Sequence, residues 1–398
     1  MTANLIAPHR EADVAREVAL ATSTGEPLAI EGNGSKRALL RPVQSARTLS
    51  TRNLTGITLY SPTELVISAR AGTTLAEIEA ALAEKGQMLV PEPPDTRLLF
   101  DTDIPATIGG IVAANLSGPR RITAGAIRDH VLGIRFVNGA GEVVRSGGRV
   151  LKNVTGLDLC KLLTGSHGTL GVITEVTLKV LPSAETSATL GVRVEDVATG
   201  VRALSAGLTS PFGVTGAALI PAFCGPEGPA TNVAFLRLED FASFVTYRAG
   251  RLAEILAPFG DVRVLDAAES VPLWGAIRDA QPLGSAAEEA IWRVSVRPSA
   301  GPAVAAAAVA IGARALLDWG GGLVWIAGPA TEGAHQAVVT AAGAARGTFT
   351  LFRAPEPLRA AVAVLPEEPA PLAAIARRVK AALDPAGVLN PGRMRAGF

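Results

Sequence analysis

The sequence predicts an α+β protein of two main domains, and three observations support this fold class. The chain has 398 residues, enough for two or three domains. Segments with the period of two typical of strands alternate with segments that have the helical period of 3.6. After Pro182, Ala, Gly and Pro become more frequent. We therefore expect domains over residues 1–182 and 183–350, followed by a C-terminal segment over 351–398.

Turn and capping signals define the elements of the first domain. Thr74 and Glu77 form a capping box that begins a helix, and Gly86 ends that helix. The turn Asn138–Gly141 predicts a hairpin between its flanking strands. The other predicted elements are a surface helix at 10–24 and strands at 28–30, 65–71, 131–137, 142–146 and 172–180.

The second domain is expected to alternate helices with antiparallel strands, and it contains no cofactor motif. Five prolines between 355 and 371 indicate a linker that leads back from it. A last helix at 371–383 ends before Pro385. The expected elements between residues 183 and 350 are strands near 187–194, 232–238, 291–297 and 323–327, and helices near 196–208, 241–257 and 302–317.

Composition excludes several functional classes. The 37 basic and 36 acidic residues nearly balance, so there is no electrostatic argument for binding nucleic acid or an anionic membrane. Cys160 and Cys224 form no C-x-x-C pattern, which argues against a disulfide framework and an iron–sulfur cluster in this chain. No signal peptide is expected at the N-terminus, and the longest apolar run, 303–313, is too short to span a bilayer. We expect a cytoplasmic protein without direct membrane insertion, peripheral at the inner membrane only through partner subunits.

Glycine, hydroxyl and arginine residues are concentrated in loops between the predicted strands. Glycine allows close approach of the backbone, and successive N–H groups form an anion-binding nest. The pattern predicts loops that wrap a diphosphate-bearing cofactor. The segment Gly32–Arg37 ends in arginine where the Rossmann fingerprint requires a third glycine, and no Walker A motif occurs. An ordinary strand-to-loop turn is the alternative for this segment.

These loops resemble the FAD-binding domain of the vanillyl-alcohol-oxidase type, also called PCMH-type, over roughly residues 28–182 and again at 384–394. Within that superfamily the sequence is most similar to the FAD-binding E subunits of glycolate oxidase. Several separated motifs occur in the family's order, which makes the resemblance specific. They are Glu92-Pro93-Pro94, Leu116–Arg121, Lys152–Asp158, Trp292–Val296, Asp318–Gly321 and Asn390–Met394.

The resemblance implies a PCMH-type domain of two subdomains, an α+β cap domain, and a C-terminal segment that returns to the FAD domain. It also implies noncovalent FAD. Relatives with covalent FAD use His or Cys in these loops, whereas the first loop has Ser35 and Lys36, and residues 107–125 contain neither. The expected cofactor-binding residues are Gly32, Asn33, Gly34, Ser35, Lys36, Thr107, Ile108, Gly109, Gly110, Ser117, Gly118, Arg121, Gly125, Arg128, Asp129, Gly165, Gly168, Thr169, Gly171, Val172, Ile173 and Asn390.

Three of these assignments have plain structural alternatives. Arg128 and Asp129 would equally suit a structural ion pair. Asn390 lies in an Asn-Pro-Gly sequence, which is strong turn chemistry in any protein. His167, between the glycines of its loop, either contacts the flavin or fills space.

Catalytic residues are not identified by the sequence. Relatives that oxidise 2-hydroxy acids unaided use an arginine for the carboxylate and clustered histidines, often with a metal. This chain has four histidines without metal-ligand spacing, and only His335 lies in the second domain. We therefore expect no metal site. Arg293 and Arg297 are candidates for a carboxylate, with a solvated strand face as the alternative.

The resemblance implies the FAD-binding subunit of a glycolate oxidase (glycolate dehydrogenase) complex, which converts glycolate to glyoxylate. Its partners would be a homologous catalytic FAD subunit and an iron–sulfur subunit that receives the electrons. A free-standing FAD-dependent 2-hydroxy-acid dehydrogenase or oxidase is the alternative. The number of ordered glycine motifs disfavours a third hypothesis, a binding protein without flavin.

Overall fold

A computed structural model of the chain describes residues 4–149, 156–225 and 228–397, and it confirms the α+β fold class. Residues 152–155 of the Lys152–Asp158 motif lie outside the described residues. The strands are β1 (Asn4–Ile6), β2 (Leu28–Glu31), β3 (Arg47–Ser50), β4 (Ile57–Ser61), β5 (Val66–Arg70), β6 (Gln87–Met88), β7 (Val131–Val137), β8 (Val143–Gly147), β9 (Val172–Lys179), β10 (Leu181–Pro182), β11 (Thr186–Val194), β12 (Val214–Ile220), β13 (Asn232–Asp240), β14 (Asp261–Leu265), β15 (Ala290–Ser295), β16 (Arg314–Asp318), β17 (Leu323–Gly328) and β18 (Thr348–Arg353).

Several helices begin at caps that satisfy their first N–H groups. The Thr74 hydroxyl accepts from the Glu77 N–H at 3.2 Å, which is one of the two bonds of the predicted capping box; the reciprocal bond from the Thr74 N–H to the Glu77 side chain is absent among the described residues. The α-helices are α1 (Glu11–Thr24), α2 (Leu75–Ala83), α3 (Arg97–Phe100), α4 (Ile108–Ala114), α5 (Arg121–Ala124), α6 (Ile127–His130), α7 (Leu159–Leu163), α8 (Val197–Leu208), α9 (Ala242–Leu256), α10 (Ala267–Arg278), α11 (Gly301–Ala310), α12 (Glu332–Ala344), α13 (Glu356–Ala361) and α14 (Ala370–Leu383). No helix in this described part of the chain is long and apolar enough to cross a bilayer.

Two sheets dominate the first part of the chain. The smaller has the order β1-β3-β2 with parallel pairing, and the larger has the order β4-β5-β9-β7-β8 with antiparallel pairing. Val14 and Val18 of α1 pack on the small sheet together with Leu28 and Val388. The Leu28 N–H donates to the Val388 carbonyl at 2.8 Å, so the C-terminal segment returns to this region as predicted.

A sheet of eight antiparallel strands follows, in the order β14-β11-β13-β12-β16-β17-β15-β18. Helices α8, α9 and α10 pack against β11–β13, and α11 and α12 pack near β16–β18. Trp274 and Trp292 are the largest side chains fully buried in its core. The domain boundaries stay a proposal: the one at 182 precedes the first strand of this sheet, whereas the one at 350 falls inside its edge strand β18.

The helix predicted at 302–317 is wrong in its second half. Helix α11 ends at Ala310, Gly312 turns the chain with φ +71°, and residues 314–318 form strand β16. Leu316 and Leu317 are buried between the layers. A short, fully buried strand shows no alternation of apolar and polar residues. Its apolar residues therefore looked like a continuation of the alanine-rich helix that precedes it.

Candidate functional site

A cleft of about 500 Å³ opens between the loop after β2, the start of α4 and the loop before β9. This volume lies in the range typical of small-molecule sites. The structure brings most of the predicted cofactor residues to its wall. These are Gly32, Asn33, Gly34, Ser35, Lys36, Thr107, Gly109, Gly110, Gly168, Gly171, Val172, Ile173 and Asn390.

Glycine is required where the first loop meets α4. A Cβ on Gly32 would lie 2.3 Å from the Thr107 Oγ1, and a Cβ on Gly110 would lie 3.3 Å from the Lys36 Nζ. Gly34 has φ +83°, which favours glycine. The two backbone segments can therefore approach each other and leave an open, cradle-like surface between them.

The first loop presents an uncompensated positive charge to the cleft. Arg37 is paired with Glu31 through two hydrogen bonds of 2.7 Å. Lys36 Nζ donates to the Ser35 hydroxyl at 3.2 Å, and within the described residues no carboxylate pairs with it. Burial lowers the pKa of Lys36 to about 8, so the ammonium still predominates at neutral pH.

These donors fit the diphosphate that the sequence predicts. The backbone N–H groups of residues 33–36 donate to no acceptor in the described part of the chain, and consecutive free N–H groups form an anion nest. Lys36 supplies the compensating charge, and Gly110 leaves the space that a phosphate oxygen needs. Lys36 is therefore available to balance the charge of a diphosphate, whereas Arg37 is occupied by Glu31.

Asn390 joins the two sides of the cleft. Its Oδ1 accepts from the Ile30 N–H at 2.8 Å, and its Nδ2 donates to the carbonyl oxygens of His167 at 2.8 Å and Ile30 at 3.3 Å. Gly168 is needed beside it, because a Cβ there would lie 2.8 Å from the Asn390 Nδ2. The amide is thus occupied by the protein, and Asn390 shapes the cleft rather than offering free donors.

His167 lies on the cleft wall with φ +52°. Burial, with added repulsion from Arg393 and Lys36, lowers the pKa of His167 to about 3. The imidazole is therefore neutral across the physiological range. A general base needs a pKa near the working pH, which His167 lacks.

Two arginines on the cleft were missed by the sequence analysis as functional residues. Arg393 donates to the Lys36 carbonyl at 3.0 Å and to the Arg41 carbonyl at 3.1 Å, which ties the C-terminus to the first loop. Arg359 donates to the Leu40 carbonyl at 2.9 Å. Contacts from a side chain to distant carbonyl groups leave no sequence pattern, although Arg393 belongs to the Asn390–Met394 motif.

The remaining predicted residues do not line this cleft, and their assignment to the cofactor stays a prediction. Ile108 is fully buried in the core, and Thr169 closes its loop by donating to the Ser166 carbonyl at 2.7 Å. Seven others also lie outside the lining: Ser117, Gly118, Arg121, Gly125, Arg128, Asp129 and Gly165.

The segment 117–129 is organised by its own contacts. The Ser117 hydroxyl accepts from the Ile127 N–H at 2.9 Å, and the Asp129 carboxylate accepts from the Ala126 N–H at 2.9 Å. Arg128 is exposed, and among the described residues it forms no ion pair with Asp129. The ion pair between Arg128 and Asp129, which was the alternative to a cofactor role, is therefore not formed in the described part of this segment.

A buried ionic network connects this segment to the large sheet. Arg120 donates to both oxygens of Glu239, at 2.9 and 2.7 Å, and Arg237 donates to both oxygens of Glu92, each at 2.9 Å. Burial acts to raise the pKa of Glu239, but the hydrogen bond from Arg120 and the charges of Arg237 and Arg120 outweigh it and lower the pKa to about 2. These ion pairs hold the loops that contain Glu92 and Arg120 against strand β13, which contains Arg237 and Glu239.

Comparisons with known proteins agree with this geometry. A family described as FAD binding domain matches residues 2–147. The glycolate oxidase subunit GlcE of Escherichia coli is 37% identical over 380 residues, 96% of either chain. GlcD of Bacillus subtilis, another glycolate oxidase subunit, is 28% identical over 50% of this chain and 42% of that protein. The fold is that of p-cresol methylhydroxylase, whose substrate-bound structure matches with a TM-score of 0.74 at 14% identity, over 98% of this chain and 88% of the other.

Proposed function

The chain belongs to the family of the glycolate oxidase subunit GlcE, and from this premise we propose that it is the FAD-binding subunit of a complex that oxidises glycolate to glyoxylate. It is an FAD-dependent oxidoreductase by its family and its FAD-binding domain. In the proposal, electrons pass through the flavin to an iron–sulfur subunit, and a homologous FAD subunit is the second partner.

The observation that carries the proposal is the anion cradle between Gly32–Lys36 and the start of α4. Free backbone N–H groups and an unpaired ammonium meet there over a glycine surface. A dinucleotide with a diphosphate is the ligand that such a donor set suits best. The described residues of this cleft include no cysteine, which supports noncovalent binding.

Each part of the chain has a distinct task in this function. When bound, FAD supplies the capacity to accept a hydride. Lys36 and the loop amides hold the diphosphate, Asn390 keeps the two walls of the cleft at a fixed separation, and Arg393 fastens the C-terminal segment over the first loop. The alanines and glycines of α4 have small side chains, so the backbone of this helix stays accessible to the cofactor and the cleft stays narrow.

The environments of the histidines support an accessory rather than a self-sufficient role. His130 Nε2 lies 2.8 Å from the Ala124 carbonyl, and His335 Nδ1 accepts from the Trp292 indole at 3.1 Å. Burial lowers the pKa of both imidazoles and of His167. None of these three histidines is therefore suited to remove a hydroxyl proton as a base, and we assign that step to a partner subunit.

One observation favours the alternative, a free-standing 2-hydroxy-acid dehydrogenase or oxidase. Arg293, for which a solvated strand face was an alternative, is instead half-buried with its guanidinium 5.0 Å from the Trp319 ring. That solvated-face interpretation is wrong for Arg293 and holds for the exposed Arg297. An arginine in this setting suits a substrate carboxylate.

Gly110→Asp tests the proposed cofactor site. The added carboxylate would stand close to Lys36 and Thr107 and oppose the diphosphate, so we expect the purified variant to lose its yellow colour. Gly333→Asp is the matched control, because position 333 is exposed near the start of α12 and a Cβ there meets nothing within 4 Å. Full flavin content in Gly110→Asp at normal stability would refute the site.

Acid precipitation tests the mode of attachment. We expect all flavin to remain in the supernatant after the protein is precipitated. Flavin in the washed pellet would contradict noncovalent binding.

A further inference from the structure

A second cavity, larger than the cofactor cleft, lies along the C-terminal part of the chain. It is an open groove of about 720 Å³ between residues 41–44, helix α14 and the segment 384–397, and we call it the C-terminal groove. Alanine, glycine and proline form most of its wall, and none of the described residues that line it is aromatic. Small-molecule pockets are typically rich in aromatic and other large apolar side chains. The groove is therefore better suited to a protein segment than to a small apolar ligand.

The one carboxylate that lines the groove, within the described ranges of the chain, is neutralised by the protein itself. Lys380 Nζ donates to Asp384 Oδ2 at 2.6 Å, and the same carboxylate accepts from the N–H groups of Val388 at 3.2 Å and Leu389 at 2.9 Å. Asp384 is only 1% exposed, so it presents no negative charge to the solvent in the groove. The charge of the groove is therefore that of its arginines.

Two arginines of the groove, Arg41 and Arg377, have no carboxylate partner in the part of the chain that the structure describes. The Arg41 guanidinium donates to two carbonyl groups of the segment 360–362, at 2.9 and 3.1 Å, which holds its charge in a fixed position. Arg377 is exposed, and its Nε donates to a carbonyl group of its own helix at 3.2 Å. By contrast, Arg395 of the same C-terminal segment is paired with Glu368 at 3.1 Å. The uncompensated charge of the groove suits an acidic partner.

The C-terminal groove and the cofactor cleft share a wall. Pro42 lines both cavities. Pro391 and Gly392 line the groove, while their neighbours in sequence, Asn390 and Arg393, line the cleft. A protein segment bound in the groove would therefore contact the same stretch of chain that closes the cofactor cleft.

We propose that the C-terminal groove docks an acidic segment of the partner subunit that receives the electrons. Complementary charges steer the encounter of two proteins, and electron-transfer partners use small contact areas, so two fixed or exposed arginines can contribute substantially to the choice of partner. A position beside the cofactor cleft is what an acceptor of flavin electrons requires. The homologous FAD subunit has no such requirement and is expected to bind elsewhere.

The proposal concerns association and adds no chemical step. The identity of the partner rests on the proposed function, whereas the demand for an acidic segment rests on the groove alone. Flavin content is recorded separately from association, so the two proposals can fail independently.

Calorimetric titration of the purified full-length chain with the purified iron–sulfur subunit of its complex tests the groove. Arg377→Glu should weaken the association about tenfold or more, and Arg377→Lys should keep it within about twofold of wild type because the charge is retained. Arg202→Glu is the matched control, since Arg202 is an exposed arginine of α8 that donates within its own helix and does not line the groove. The affinity of wild type should fall as the salt concentration rises, and that of Arg377→Glu should fall less steeply.

Position 381 separates the effect of charge from that of bulk. Ala381 is exposed on α14 and lines the groove. Ala381→Glu should weaken the association, whereas Ala381→Lys, which adds a side chain of similar length but opposite charge, should match or exceed wild type.

Visible spectra and melting temperatures confirm that each variant is folded. Four results in folded protein would overturn the docking site: no binding of the iron–sulfur subunit to wild type, unchanged affinity in both glutamate variants, equal weakening by Ala381→Glu and Ala381→Lys, or a loss in Arg377→Glu confined to the homologous FAD subunit or to anionic phospholipid vesicles. A purified chain without FAD would refute the proposed function and leave the docking result intact.

Discussion

Gly32→Ala should weaken FAD binding strongly through a single overlap. The new methyl group would lie 2.3 Å from the Thr107 Oγ1, so the loop after β2 or the start of α4 must move. Overpacking of this kind costs about 1–3 kcal/mol. Displacing Thr107 also breaks its capping bond to the Gly110 N–H, which costs about 1 kcal/mol. Because the displaced loop must return to this position when FAD binds, the combined cost of about 2–4 kcal/mol weakens FAD binding about 30- to 700-fold at 1.4 kcal/mol per tenfold.

The double variant Gly32→Ala/Thr107→Ala separates this overlap from a general disturbance. Removing the Thr107 hydroxyl eliminates the clash, so affinity should return to within about tenfold of wild type, with only the cap lost. Gly250→Ala is the control, because a Cβ there meets nothing within 4 Å and alanine suits the interior of α9. Affinity is measured by titrating flavin-free protein with FAD. Wild-type affinity in Gly32→Ala, or no recovery in the double variant, would refute the reasoning.

Three further predictions concern buried polar groups. The folded-state pKa of Asp318 is raised to about 7 from 3.8, so ionisation of this group lowers the free energy of unfolding as the pH rises from about 4 to 7. Asp318→Asn should remove that loss and raise the free energy of unfolding at pH 8 by on the order of 3–4 kcal/mol. A difference between variant and wild type in urea denaturation that does not depend on pH would contradict this prediction. Lys380→Met leaves the fully buried Asp384 without its 2.6 Å partner and should cost about 3–5 kcal/mol in free energy of unfolding, whereas a loss below about 1 kcal/mol would argue against a buried pair. His335→Ala should lower stability but leave glycolate oxidation by the assembled complex nearly unchanged, and a loss of activity above roughly a hundredfold would indicate a base role.

Local signals explain what could be predicted of the fold. The hairpin around Asn138–Gly141 and the helix begun by Thr74 depend on neighbouring residues, and both are confirmed. The segment 302–317 was misjudged because alanine and leucine suit either a helix or a buried strand. Only pairing with β17, which the local sequence does not encode, makes 314–318 a strand.

The candidate site also has one part that the sequence predicts and another part that it does not. Glycine-rich loops carry a recognisable chemistry, and thirteen of the predicted residues meet at one cleft. The ionic network was not anticipated, because its members come together only through the tertiary fold. Arg237 and Glu92, for example, are 145 residues apart. Charges of this kind look like solvated surface in a sequence.

The central claim is that this chain holds FAD in the cleft and depends on partner subunits to oxidise its substrate. The most direct test is the visible spectrum of the purified chain alone, without oxygen, before and after glycolate or D-lactate is added. The account predicts a flavin spectrum that stays oxidised with the chain alone and is reduced once the partner subunits are present. Rapid bleaching of the flavin band in the isolated chain would contradict it, because a complete active site would then lie within this one polypeptide.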